Sequence, residues 1–446
     1  MKIIVAGAGE VGSHLAKMLS EEYHDITVID DSEKRLDSLA SSADLITIEG
    51  DITQFAILKK ADTQRSDLFL AVSPDENSNI LSAMIAKQLG SKKVVARIDN
   101  SDYLLPGNKE IFVNMGIDYM FYPEKVAAEE VITLLGHTST TEYVDFSGGK
   151  LVLVAFKVEA GSPLANRTLL EVTRSREKLN YRTVAISRAG VTIIPRGADF
   201  FKIGDMIYVI VNQGSAAEVM NFTGKQQVDI RNLMILGGSS IGRRIAKELQ
   251  NEVNVKLVDY NPEKAYKMAE MLDKTLVINE DGRKIEVMEQ EGLHNMDAFV
   301  ALTGRAETNI LAAMLAKKMG VKKVIAEVEN LNYIGLAESV GIDTIINKKL
   351  TTASSIFRFT MNTDVQAIKC LNGCDAEVLE FIAKAESPAT KNKIRDLNFP
   401  REAIIGGVVR GGEAFIATGN TEIEPYDRVV VFSLPSAIAK VGRFFE

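Results

Sequence analysis

The chain has 446 residues with a formal net charge of −8, 46% hydrophobic and 25% charged residues, ten prolines and no tryptophan. That length holds roughly two to four domain-sized units, and the composition excludes a disordered or collagen-like polymer. The acidic balance argues against a nucleic-acid binder, whose affinity comes from clustered Lys and Arg.

A strand at residues 3–6 runs into the glycine loop Gly7-Ala8-Gly9-Glu10-Val11-Gly12, an amphipathic stretch at 11–19 follows, and a second strand at 26–29 ends at Asp30. This is a βαβ unit. Apolar runs at 45–48, 68–72 and 94–98 then alternate with helical patterns at 52–61 and 77–89, which predicts a mostly parallel sheet covered on both faces. Residues 123–135 read as a long helix leaving that domain, and 143–211 as short strands around one helix, a small α+β subdomain. Residues 222–231, polar and containing Gly224, form the linker to the second half.

The second half repeats the first. Residues 80–100 match 310–330 at a constant offset of 230 with 12 of 21 positions identical, and the same offset aligns Gly7 with Gly237 and Gly12 with Gly242. Further on, Gly116-Ile117-Asp118 returns as Gly341-Ile342-Asp343 at an offset of 225, and Arg188-Ala189-Gly190 with Asp205 returns as Arg410-Gly411-Gly412 with Asp427 at an offset of 222. A repeat over a whole domain is a duplication. The expectation is therefore an α/β protein of four parts. Residues 1–137 and 229–361 form two tandem Rossmann-like, doubly wound parallel-sheet domains, and 138–225 and 362–446 form the small α+β subdomain that follows each.

A G-x-G-x-x-G alone is a weak signal, but here it follows a strand and opens a helix. In that setting Gly7 makes the tight turn, Gly9 admits a pyrophosphate close to the backbone, Gly12 packs helix on sheet, and the helix N-terminus faces the anion. Asp30, at the end of the second strand, stands where a carboxylate accepts hydrogen bonds from an adenosine ribose. Ser73 and Pro74 follow the fourth strand at the same crevice. Arg97, on the next strand, is a phosphate partner or one half of an ion pair with a carboxylate such as Asp51 or Asp99; the sequence leaves both open. The second loop reads Gly237-Gly238-Ser239-Ser240-Ile241-Gly242, with Asp259 in the place of Asp30, Ser239 in that of Gly9, and Glu327 in that of Arg97. A serine obstructs the close approach of phosphate and a glutamate repels it, so the two sites are expected to be unequal.

Catalysis is not expected. A dehydrogenase needs a proton relay beside its cofactor, and the four histidines, His14, His24, His137 and His294, have no counterparts in the other repeat. Cys370 and Cys374 lack companions for a zinc set and read as reduced structural thiols. A strand starting at Lys2 leaves no secretory leader, and apolar runs such as 151–156 and 206–211 fall well short of the roughly 18–20 residues that span a bilayer. The expected location is the cytosol. A competing reading is an NAD-dependent oxidoreductase of the saccharopine-dehydrogenase-like type, against which the duplicated small subdomain speaks.

Two tandem modules carrying Gly7–Gly12, Asp30, Gly50-Asp51, Ala71–Asn79 and Ala96-Arg97-Ile98, each with a trailing small subdomain, resemble the regulatory subunits of Trk-type potassium-uptake systems, within the family of regulators of potassium conductance. The resemblance covers nearly the whole chain. It implies a cytosolic ring, a homo-tetramer, on the cytoplasmic face of the membrane beneath a potassium transporter of Trk type, and regulation in place of catalysis. It implies NAD(H), with ATP or ADP as alternatives, as the ligands. Gly7, Ala8, Gly9, Glu10, Val11, Gly12, Asp30, Asp51, Ser73, Pro74 and Arg97 would line the first site, and Gly237, Gly238, Ser239, Ser240, Ile241, Asp259 and Thr303 the second.

Overall fold

The strands of the first domain are nearly continuous in apolar residues, as burial on both faces requires. In the computed structural model, which describes residues 1–21, 24–175, 180–357, 359–360, 365–371 and 374–446, they are β1 (Lys2–Ala6), β2 (Asp25–Asp30), β3 (Ile46–Glu49), β4 (Leu68–Ala71), β5 (Lys93–Arg97) and β6 (Tyr119–Phe121). Between them lie α1 (Glu10–Glu21), α2 (Glu33–Ala40), α3 (Phe55–Lys60), α4 (Glu76–Leu89) and α5 (Pro106–Asn114), and α6 (Pro123–Gly136) follows. All pairs are parallel in the order β3-β2-β1-β4-β5-β6. The order reverses between β1 and β4, so a crevice opens at the carboxyl ends of those strands, the usual seat of a ligand in such sheets.

Three elements escaped the apolar pattern. No residue of α5 is buried, so it shows no apolar stripe; β6 is three residues long and α2 eight. The helix expected from residue 52 starts at Phe55, because the Asp51 carboxylate accepts from Thr53 N (2.8 Å) and Oγ1 (2.7 Å), and this local turn competes with helix.

The first small sheet follows: β7 (Glu142–Phe146), β8 (Leu151–Lys157), α7 (Leu169–Ser175), β9 (Tyr181–Arg188), β10 (Val191–Ile193), β11 (Met206–Asn212) and then α8 (Ala216–Phe222), with strand order β10-β9-β11-β8-β7. Its pairs are antiparallel. The second half repeats both layouts. Strands β12 (Asn232–Leu236), β13 (Asn254–Asp259), β14 (Leu276–Asn279), β15 (Ala298–Ala301), β16 (Lys323–Glu327) and β17 (Thr344–Ile346) alternate with α9 (Ser240–Leu249), α10 (Pro262–Met271), α11 (Ile285–Gln290), α12 (Ala306–Lys318) and α13 (Ile334–Ser339), and α14 (Lys348–Phe357) follows. The order β14-β13-β12-β15-β16-β17 is that of the first sheet. The last sheet, β18 (Val365–Cys370), β19 (Glu377–Ile382), β20 (Ala403–Arg410), β21 (Glu413–Ile416) and β22 (Arg428–Ser433), is closed by α15 (Ile438–Phe445). Among the described residues no helix is long and apolar enough to cross a membrane.

By packing, the chain divides into two units: Met1–Ala127 with Lys348–Met361, and Ala128–Asn347 with Asn362–Glu446. In the first unit, α14 lies against α1 although its residues belong to the second half of the chain. In the second unit the two small sheets share one core, in which Leu153, Tyr208 and Ile210 of one meet Val378, Val430 and Phe432 of the other. Close approach needs small residues at the seam: a Cβ on Gly406 would stand 2.7 Å from Ile210, and one on Gly407 2.8 Å from Leu151. The repeated Arg and Asp also find each other. Arg188 Nε and Nη2 meet the two carboxylate oxygens of Asp205 at 2.8 and 2.7 Å, while Arg410 meets Asp427 at 2.9 and 2.7 Å, each aspartate almost fully buried. The fork geometry of arginine suits that bidentate pairing. Both cysteines are free thiols, and burial pushes Cys374 up to about 12.

Lys323 marks where the repeats diverge. Its counterpart Lys93 is exposed, whereas Lys323 is 1% exposed, its Nζ donating to Thr140 O (2.6 Å) and to Thr344 Oγ1 (3.0 Å), which in turn donates to Thr141 O at 3.2 Å. Burial, opposed by Asp343 and reinforced by Lys317 and Lys225, takes its amine from 10.5 down to about 8. A lysine whose folded pKa is depressed binds its proton more tightly when unfolded, so stability rises as pH climbs from about 8 to about 10.5. Urea unfolding midpoints taken across that window are expected to rise for the wild-type chain and to lose this rise in Lys323→Met.

Candidate functional site

The crevice of the first sheet is built from the loop between β1 and α1. Gly7 has φ +112°, and a Cβ there would stand 2.7 Å from Ser73 N, so only glycine makes this turn beside β4. A Cβ on Gly12, expected to let helix pack on sheet, would stand 1.8 Å from Gly7 O and 3.1 Å from Val72 Cγ2, so the helix start presses on the loop itself and on the residue that follows β4, while a Cβ on Gly9 would meet nothing within 4 Å. The loop thus presents an open face at Gly9, next to the first backbone N–H groups of α1. Ser13 Oγ donates to Ala8 O at 2.9 Å and secures the turn from the helix side.

Asp30 closes the loop from the other side. It is 5% exposed, and its Oδ2 accepts from Ala8 N at 2.6 Å while Oδ1 accepts from Ser32 N at 2.9 Å and lies 3.5 Å from Arg35 Nη1. A carboxylate offers about four lone-pair positions, so acceptor capacity remains for a hydroxyl pair. The structure adds a role the sequence did not suggest: the same side chain sets the loop and faces the crevice.

The far wall depends on Asn79, a residue to which sequence reasoning assigned no role. It is 1% exposed; Oδ1 accepts from Ser73 N at 2.8 Å, and Nδ2 donates to Ser73 O at 2.9 Å and Arg97 O at 3.1 Å. One side chain in the first turn of α4 therefore ties the ends of β4 and β5 together. The available signal was its recurrence as Asn309, which binds Thr303 N at 2.9 Å, Thr303 O at 3.0 Å and Glu327 O at 2.9 Å. Ser73 begins the Ser73-Pro74-Asp75 turn, and Asp75 caps α4 by accepting from Ser78 N at 2.8 Å.

Of the two readings open for Arg97, an ion pair is present. Its Nη2 lies 3.1 Å from Glu124 and 3.4 Å from Asp99, while Asp51 turns to Thr53 and is held below the usual carboxylate range by those hydrogen bonds. The pair leaves Arg97 Nε buried without a hydrogen-bond partner. A donor in that state suits an anionic oxygen, as does the open face at Gly9, so the residues present fit a diphosphate between the loop and β5.

The second crevice keeps the frame and changes the surface. Gly237 repeats the turn at φ +108°, Gly238 N donates to Asp259 Oδ2 at 2.7 Å, and Asn261 N donates to Asp259 Oδ1 at 2.8 Å. Here, however, Ser239 Oγ accepts from Gly242 N at 3.2 Å and caps α9 internally, and Ser240 Oγ accepts from Arg243 at 3.3 Å. The helix terminus that would receive an anion is thereby partly satisfied. A Cβ on Gly238 would stand 2.3 Å from Met268 Cε, so this methionine lies over the loop. Ile241 is buried against the sheet, Thr303 is held by Asn309, and Glu327 is buried at the end of β16.

The four histidines have separate settings. His24 Nδ1 is 3.4 Å from the amino terminus, His137 stacks on Tyr143 with ring centres 3.7 Å apart, His294 sits in a short turn before β15, and His14, half-buried on α1, is lowered by burial first and then by Lys349 and Lys17. Among the described residues no cluster of His, Cys, Asp and Glu could hold a metal ion. Cavities of about 420 and 610 Å³ in the second unit are lined by none of the residues expected at either site.

Known proteins share the two-part organisation of each half. The chain matches the TrkA-N domain over residues 3–123 and 233–348, and the TrkA-C domain over 153–224 and 378–446. The Trk system potassium uptake protein TrkA of Halomonas elongata is 32% identical over 453 residues, covering all of this chain and 99% of that protein. That of Vibrio alginolyticus is 32% identical over 439 residues, covering 97% and 95%. Among solved structures, the GsuK RCK domain superposes with TM-score 0.62 at 14% identity, covering 98% of this chain and 92% of that one. The GsuK channel bound to NAD gives 0.60 at 14% identity, covering 100% and 78%. At 14% identity the two structures share its fold.

The buried asparagines supply the check on this scaffold. Truncating Asn79 strands Ser73 N and two carbonyls in a dry setting, and each stranded group costs on the order of 1–3 kcal/mol unless the site relaxes. Asn79→Ala is expected to lower the stability of the first domain by about 2–3 kcal/mol, with Asn309→Ala doing the same in the second, read from urea unfolding and from faster amide exchange at Ser73 or Thr303.

Proposed function

Because this chain belongs to the TrkA family of Trk system potassium uptake proteins, matched along its whole length, we propose that it is the nucleotide-sensing regulatory subunit of a Trk-type potassium transporter. The observation that carries the sensing role is the first glycine loop, open at Gly9 and bounded by Asp30, in a sheet whose β5 carries a buried Arg97 Nε without a hydrogen-bond partner. In this reading Gly7, Ala8, Gly9, Glu10, Val11 and Gly12 receive the diphosphate, Asp30 accepts from the adenosine ribose, Ser73, Pro74 and Asp51 border the pocket, and Arg97 meets the phosphates by shifting from Glu124 and Asp99. The ligands are NAD(H) and ADP or ATP, which share an adenosine diphosphate. The second site, with Ser239 capping its own helix and Glu327 in the place of Arg97, binds more weakly.

The chain acts as a homo-tetramer on the cytoplasmic face of the membrane, against the transporter, and it carries no catalytic activity of its own. A ligand shifts an open–closed balance only by its differential affinity for the two states, and a coupling of about 1–3 kcal/mol suffices for a 5- to 150-fold response. Two measurements check this. Potassium flux through the partner transporter in vesicles should respond to NADH and to ADP with the wild-type chain and lose that response with Gly9→Asp, whose carboxylate fills and charges the open face; an unchanged response from a folded, bound variant overturns the reading. Incubation with NADH and a broad panel of carbonyl compounds should leave the nicotinamide absorbance constant, and turnover near about 1 per second would instead favour the oxidoreductase.

A further inference from the structure

One charged side chain beside the first glycine loop does not come from the first half of the chain. Lys349, the second residue of α14, places its Nζ 3.7 Å from Oε2 of Glu10, the residue that follows Gly9 and opens α1. The ammonium also acts one turn further along, where it helps lower the imidazole of His14. It is mostly covered, at 20% side-chain exposure, while Glu10 is 67% exposed. The cation is therefore held in place and its carboxylate partner stands in solvent.

The repeat gives this arrangement a meaning. At the offset of 225 Lys349 occupies the position of Glu124, the second residue of α6. Glu124 pairs with Arg97, so an acid serves at this helix start in the first half and a base in the second. A base beside the amino end of α1 adds to the partial positive charge of that terminus, where an acid would oppose an incoming phosphate. A lysine–glutamate pair whose carboxylate stands in solvent and lies 3.7 Å away is weak, whereas a phosphate group offers more charge and more acceptor oxygens than Glu10.

We propose that Lys349 is a phosphate-binding residue of the first site, supplied by the second half of the chain, which leaves Glu10 for the diphosphate of an adenine nucleotide seated on the amino end of α1. This rests on the nucleotide-sensing reading above and adds to it a direct grip of the first site's ligand on α14, the helix that continues from β17 of the second sheet. Glu10 then acts as the competitor that keeps Lys349 placed when no nucleotide is bound.

The test is calorimetric titration of the full chain with ADP and with adenosine, the first-site isotherm being the one that disappears in Asp30→Ala. Lys349→Met is expected to weaken ADP about 5- to 20-fold and leave adenosine within twofold, and Lys349→Arg to retain ADP. Glu10→Gln is expected to tighten ADP a few-fold in the wild-type background and to have no effect in Lys349→Met. The proposal is overturned if Lys349→Met binds ADP as the wild type does, or if it weakens ADP and adenosine equally, which would mark a structural role; in either case the sensing reading survives. If the wild-type chain binds neither ADP nor NADH, both fall together.

Discussion

In both halves of the chain an aspartate at the carboxyl end of the second strand accepts a hydrogen bond from a backbone nitrogen inside the glycine loop, Asp30 from Ala8 at 2.6 Å and Asp259 from Gly238 at 2.7 Å. A glycine-rich loop that turns through positive φ has little of its own to define its path, and a buried charge-assisted bond supplies the missing constraint. Once the loop is pinned to β2 or β13, the start of the following helix, the open face at its N-terminus and the distance to the next strands are all set. The buried asparagines complete this frame from the opposite wall. The parts that would meet a ligand are thus positioned by groups that are themselves buried and bonded, as a preorganised site requires.

Duplication gave the two halves the same frame, and divergence acted on the surface that the frame presents. A hydroxyl at Ser239 turns an open helix terminus into a self-capped one. Met268 reaches over the loop where the alanine of the first copy has become glycine. At the ends of β5 and β16 arginine has become glutamate, and at the starts of α6 and α14 glutamate has become lysine. The strand order is the same in both sheets, yet each of these changes bears on how a phosphate would be received.

The small subdomains diverged in a different way. Their bidentate Arg–Asp pairs are kept almost atom for atom, and their sheets pack on one another through glycines that only one copy carries, Gly406 and Gly407. A face-to-face contact between two unequal sheets needs such one-sided adjustments of volume. Lys323 is a similar case, a buried amine with two oxygen partners where the other copy has a solvated one.

Read by itself, the sequence established the tandem α/β plan, because sheets buried on both faces leave apolar runs of strand length and duplication leaves a constant offset. It also picked out both glycine loops and both aspartates, since the tight turn and the helix-on-sheet contact tolerate few residue types at Gly7, Gly12, Gly237 and Gly242. Periodicity could not show α5, which buries nothing. Nor could it choose between the two readings of Arg97, whose partner Glu124 lies 27 residues away on another element. Only the tertiary structure brought Asn79 under two strand ends and set Lys349 beside Glu10, because hydrogen bonds and ion pairs between distant segments leave no period in the chain. They depend on which strands become neighbours, and that is decided by packing.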